Sequence, residues 1–242
     1  MKWGRIIPLP TTCNLKVCEF DVDEPTIGRV FRELIGSLLW IALLSRPDIV
    51  NAARAVARYC SAPKMIHWRA ALGILGYAVR TSSFGITFQR GAVGGFHLVS
   101  FADGDYASKA TDRRLVSGDV SWYSKTQKCV TLSTTQAEYV AMSDVAKVIL
   151  FLRQVWRFML PRASMPCIPV FEDNEGAIQI AKHPISNSNS KHIDVRHHVL
   201  RAFVERKEIE IIHVASQYQH ADFLTKALPE REFEFHRGVM MN

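Results

Sequence analysis

The chain is poor in cysteine and has no long apolar run. Its five cysteines (Cys13, Cys18, Cys60, Cys129 and Cys167) are scattered over 242 residues, with no C-x-x-C pair among them. Such a set supports neither a disulfide framework nor a zinc ribbon, and reduced thiols are expected. The longest apolar stretch, Leu34–Leu44, is interrupted by Gly36 and Ser37, whereas a membrane span needs about 20 apolar residues. The opening MKWGRIIPLPTTC lacks the apolar core of a secretory signal. These absences point to an intracellular protein of the cytoplasm or nucleus, without signal peptide or transmembrane segment. Internal repeats and low-complexity tracts are missing as well, which excludes solenoids and long disordered linkers.

What is present is an ordinary globular composition, 48% hydrophobic and 22% charged, with a net charge of +7. The excess of positive charge favours a polyanionic partner, nucleic acid first. Residues 1–30 are turn-rich, with Pro8, Pro10 and Pro25. Two helical patterns follow. RPDIVNAARAVARYCSAP sets Ile49, Ala53, Val56 and Cys60 on one face and stops at Pro63. MIHWRAALGILGYAVR repeats apolar residues at Met65, Trp68, Leu72, Leu75 and Val79, a stripe expected to pack inward. RTSSFGITFQ reads as a short strand, and the Gly91–Gly95 stretch is the best domain boundary.

Beyond that boundary strands and helices alternate. FHLVSFAD, VSWYSKTQKCVTLS, IPVFED and EIEIIHVAS read as strands, and a long helix from TTQAE carries Val145, Ile149, Leu152, Trp156 and Met159. NEGAIQIAK, DVRHHVLRAFVERK and YQHADFLTKAL read as further helices. Alternation of this kind predicts an α/β domain with an at least partly parallel sheet.

In such sheets functional groups gather where strands end and helices begin. Four acids meet that description: Asp103 ends a strand, Glu138 opens the long helix, Asp173 ends IPVFED, and Asp222 opens the last helix. Together they make an all-oxygen set suited to Mg²⁺. Two such ions can support phosphodiester hydrolysis. Each acid also has a plain structural reading. Thr135 and Glu138 spell a capping box, and Asp103 sits in ADGD, a plausible turn with Asp105 as a rival. Asp173 could help cap the following helix, with Glu172 a solvated neighbour, and Asp222 could face a helix dipole.

SFADGDYASKATDRRLVSG, SWYSKTQKCVTLSTTQAEYVAMS, FEDNEGAIQIAKHP, SKHIDVRHHVLR and HADFLTKALP closely resemble the ribonuclease H region of copia-type long-terminal-repeat retrotransposon Pol polyproteins. ELIGSLLWIALLSRPDIVNAARAVARYCSAPKMIHWRAA resembles the segment after the reverse transcriptase palm of the same polyproteins. The resemblance implies a ribonuclease H-like mixed sheet flanked by helices, preceded by a small N-terminal helical segment. The expected domains are residues 1–92, a mostly helical remnant of the reverse transcriptase thumb or connection, and 96–242, the ribonuclease H-like domain. It further implies cleavage of the RNA strand of RNA–DNA hybrids, with two Mg²⁺ or Mn²⁺ ions held by Asp103, Glu138, Asp173 and Asp222. Of the neighbouring pair, Asp173 is the expected ligand and Glu172 the bystander.

The polymerase motif of paired aspartates is absent, since no Asp-Asp dipeptide occurs. A truncated copy without polymerase activity is therefore expected, with the missing palm of a full element as a candidate partner. His220 is a candidate for moving protons. Lys125, Lys128, Lys191, His192 and Arg196 are candidates for contacting nucleic acid. Only Asp119 and Val120 separate Gly118 from Ser121, where family members usually have a longer stretch reading as a strand and a Gly turn. That shortened hairpin motivates a second reading, a catalytically inactive nucleic-acid-binding or structural remnant.

Overall fold

The helical patterns fold as helices and the alternating segments as one mixed sheet. The computed structural model describes residues 21, 23–28, 30–86, 99–105, 112–117, 121–126, 133–182 and 198–241. The chain divides into two compact units: Met1–Gln89 with Lys226–Asn242, and Arg90–Thr225. The Gly91–Gly95 boundary lies outside the described residues. Of the strand expected over RTSSFGITFQ, Arg80 ends a helix, residues 81–83 turn and 84–86 form no strand, while 87–89 are outside the described residues.

The first unit is helical. Helices α1 (Val30–Leu44), α2 (Val50–Ala57) and α3 (Met65–Arg80) pack around Phe31, Ile35, Leu38, Ile49, Ala53 and Ile74. Helix α3 has the bounds that its pattern predicts, but another face is inward. Met65, Leu72, Leu75 and Val79 are exposed, while His67, Ala70, Ala71, Ile74 and Tyr77 are buried. The expected stripe followed the large apolar residues. The observed face follows small alanines, which allow close approach, and two polar rings with fixed partners. His67 Nδ1 accepts from Lys64 N at 2.8 Å and its ring stacks on Tyr59 at 3.9 Å. The final helix of the chain, Glu230–Met240, belongs to this unit, with Phe233 edge-on to Tyr77.

The second unit holds β1 (Ser100–Asp105), β2 (Asp112–Ser117), β3 (Ser121–Thr126), α4 (Thr134–Met159), β4 (Ile168–Glu172), α5 (Glu175–Lys182), α6 (His198–Glu205), β5 (Ile209–His213) and the short α7 (Asp222–Thr225). Strand order is β3-β2-β1-β4-β5, antiparallel on the β1-β2-β3 side and parallel across β1-β4-β5. This is the ribonuclease H-like mixed sheet flanked by helices that the sequence leads one to expect.

Two sequence expectations change. ADGD is no turn, because β1 runs through it to Asp105. The short Gly118–Ser121 connection removes no strand either: β2 and β3 pair in register from Asp112↔Thr126 to Ser117↔Ser121. The strand partner came from DRRLVS, whose polar letters hide it. Pro169 is tolerated inside the sheet. Ile168 N donates to Glu208 O beside β5, so Pro169 turns its missing donor towards β1, below the first β1–β4 pair at Val170.

The core of this unit lies between the sheet and α4, α5 and α6. It holds Ala102, Tyr139, Met142, Val145, Ile149, Val170, Ile178, Leu200 and Ile211. The long stripe on α4 leaves this core towards its end, for Met159 is exposed. Among the described residues no helix is long and apolar enough to cross a membrane.

Candidate metal centre

The sheet has its topological switch between β1 and β4, parallel neighbours whose onward connections run to opposite sides. Crevices at the carboxyl ends of such strands are where open α/β sheets bind ligands. The two strands are registered only at Ser100–Val170 and Phe101–Phe171. Past those pairs they part, and the acids sit there.

Gly104 brings the long helix to this point. A Cβ on Gly104 would lie 2.7 Å from the carbonyl carbon and oxygen of Ala137, so only glycine lets β1 touch the first turn of α4. The same residue's N–H donates to Glu138 Oε2. Glu138 is not consumed as a cap. The helix is capped by Ser133, whose hydroxyl accepts from Gln136 N at 3.2 Å, two residues ahead of the expected Thr135–Glu138 box.

A parallel device frees Asp173. Asn174 caps α5, its Oδ1 accepting from Ala177 N at 2.9 Å. Gly176 lies against Thr135, where a Cβ would meet Thr135 Cγ2 at 3.1 Å. The starts of α4 and α5 therefore adjoin, next to the ends of β1 and β4.

Asp103, Glu138 and Asp173 each offer a carboxylate oxygen, and these oxygens lie within 4.8 Å of one another. Asp103 and Glu138 are buried and Asp173 is half-buried. Burial pushes the Glu138 carboxyl up, to about 11. The charges of Asp103, then Glu172 and Asp173, push the same way, with the Gly104 N–H working against them. Three carboxylates this close, with hard oxygen donors only, match what Mg²⁺ or Mn²⁺ selects.

Asp222 opens α7 and is buried, but its carboxylate is not one of the three that gather within 4.8 Å. Half-buried His220 stands edge-on to Phe101, ring centroids 4.9 Å apart, and burial lowers its pKa. Lys125 lies on β3, whereas Lys128, Lys191, His192 and Arg196 fall outside the described residues. Arg201, from the same basic segment, donates to Ile180 O at 3.0 Å.

Sequence reasoning missed Glu172. It is no solvated neighbour: it is fully buried, and its Oε1 accepts from Asn174 N at 3.1 Å. The alternation along IPVFE, with Ile168 and Val170 inward, carried the signal.

The comparisons agree with the motifs. The Retrovirus-related Pol polyprotein from transposon TNT 1-94 of Nicotiana tabacum is 32% identical over 251 residues, covering 97% of this chain and 18% of that protein. The corresponding polyprotein from transposon RE2 of Arabidopsis thaliana is 29% identical, covering 84% of this chain and 14% of its own length. Over most of its length the chain is thus similar to one stretch of the retrovirus-related Pol polyproteins of copia-type transposons. It spans less than a fifth of the length of these relatives. No protein-family model matches it. Among solved structures, RNase H1 from the halophilic archaeon Halobacterium salinarum NRC-1 is 16% identical. The match covers 58% of this chain and 99% of that one, with a TM-score of 0.35. The fold assignment rests on the strand order, not on this likeness.

Proposed function

We propose that this segment hydrolyses the RNA strand of RNA–DNA hybrids, with Asp103, Glu138 and Asp173 holding divalent cations and Asp222 completing the ligand set. The observation that carries the reading is the meeting of three carboxylates from β1, α4 and the end of β4 within 4.8 Å. When bound, a pair of divalent ions supplies water activation and charge stabilisation for phosphodiester hydrolysis.

The chain's own groups do the positioning. The Gly104 N–H orients one Glu138 oxygen, and Glu172 adds negative charge behind it. Asn174 takes over the capping of α5 and leaves the Asp173 carboxylate to the site. His220, its ring favoured in the neutral form by burial, is suited to accept a proton near the site. The net charge of +7 favours a polyanionic substrate.

The test is cleavage of an end-labelled RNA–DNA hybrid in Mg²⁺ by the full chain and by Asp173→Asn. The parent should cut the RNA strand, and the variant should be slower by more than about 100-fold. No cleavage by the parent, or equal cleavage by the variant, defeats the reading. The rival of an inactive remnant drew on the shortened hairpin, and the registered β2–β3 ladder takes that support away.

A further inference from the structure

Gln219 is wholly buried and takes no part in the acidic cluster. It links the two chain segments that carry Asp103 and Asp222. Its Nε2 donates to Ala102 O at 2.9 Å, across 117 residues of sequence. Its Oε1 accepts from Ala221 N at 3.3 Å. Its backbone carbonyl accepts from Asp222 N at 3.1 Å. A donor on one side and an acceptor on the other fix which end of the amide is which.

The position of the first bond is telling. Ala102 is the first residue of β1 beyond its pairing with β4, and it directly precedes Asp103. Where the strands part, the carbonyl that a neighbouring strand would otherwise satisfy takes a side chain instead. That side chain then holds the turn entering α7 through its other half. One glutamine thus spans the opening of the sheet and reaches the residues next to two of the four acids.

We propose that Gln219 is a positioning residue that locks the Asp222 turn to the end of β1 and so sets the spacing of the acidic site. The proposal rests on the cation-binding reading above. Buried groups that orient ligands without touching the ion commonly control affinity this way.

The experiment uses the full chain with Gln219→Met, which keeps the side chain's length and removes both of its hydrogen bonds. Mn²⁺ binding by isothermal titration calorimetry should weaken roughly 10–100-fold in a variant that still melts cooperatively. Higher Mn²⁺ should recover part of the lost hybrid cleavage. In a double-mutant cycle with Asp222→Asn, the two losses of Mn²⁺ affinity should be less than additive. Unchanged affinity, or additive losses, overturns the proposal. If Gln219→Met does not fold, Gln219→Asn, an amide one methylene too short for both partners, is read in the same way. Failure of both to fold overturns the proposal in favour of a purely structural role. A parent chain that binds Mn²⁺ in a Gln219-dependent manner but cuts no hybrid supports this proposal and defeats the nuclease reading. A parent that binds no Mn²⁺ overturns both.

Discussion

Each of the two units buries a cluster of charged groups, and the two clusters are built on opposite plans. In the helical unit Arg46 is only 6% exposed, yet its guanidinium makes five hydrogen bonds. It grips Asp48 through two nitrogens, at 2.9 and 2.7 Å, and caps the end of α3 through Ala78 O, Thr81 O and Thr81 Oγ1. Burial works against its charge, but the hydrogen bond and charge of Asp48 outweigh it, and the pKa rises. In the sheet unit Asp103, Glu138, Asp173 and Glu172 bring acids of one sign to one place, where burial and the neighbouring carboxylates oppose the ionisation of Glu138. The first cluster contains its own cation, whereas the second gathers oxygen donors of the kind a divalent ion takes. Buried groups arranged against their own ionisation mark functional sites more often than structural ones.

The contrast can be broken from either side. Arg46→Met strips the paired cluster of its cation and leaves the Asp48 carboxylate buried with no guanidinium against it. Unfolding in urea should show a loss of about 3–5 kcal/mol, and a loss below about 1 kcal/mol would place the structural weight elsewhere. Gly104→Ala puts a methyl group against the Ala137 backbone and moves the first turn of α4. Hybrid cleavage should fall on the order of 100-fold, because displacements of about 1 Å cost that much. A rate near the parent's would show that β1 and α4 need not touch. Glu138→Gln replaces a carboxyl whose ionisation is opposed by burial and by its acidic neighbours with a neutral group of nearly the same volume. In EDTA this variant should be more stable than the parent by about 1–2 kcal/mol while losing cleavage. A less stable variant would mean that the acidic cluster is not under electrostatic stress.

Much of the acidic site is legible in the sequence, because strand-end and helix-start positions are local properties. Asp103, Glu138 and Asp173 could be picked out on that ground alone. The supporting parts are not local. Gly104 looks like a turn residue until the strand through it is seen to meet Ala137. Gln219 is an ordinary polar letter whose partner lies 117 residues away. Arg46 draws its acceptors from Ala78 and Thr81, on the far end of a different helix. The inward face of α3 was misread for a related reason. Small residues decide how near helices come, while the large apolar ones catch the eye. Helix Glu230–Met240 escaped because its polar sequence has a weak apolar stripe, only Phe233, His236 and Met240 being buried.

The central claim is that the same-sign cluster is completed by a divalent cation. Crystals of the full chain grown or soaked with Mn²⁺, measured near the manganese absorption edge, test it without reference to turnover. The account predicts an anomalous peak bounded by the carboxylates of Asp103, Glu138 and Asp173. Fully ordered carboxylates with no peak between them at millimolar Mn²⁺ would contradict it.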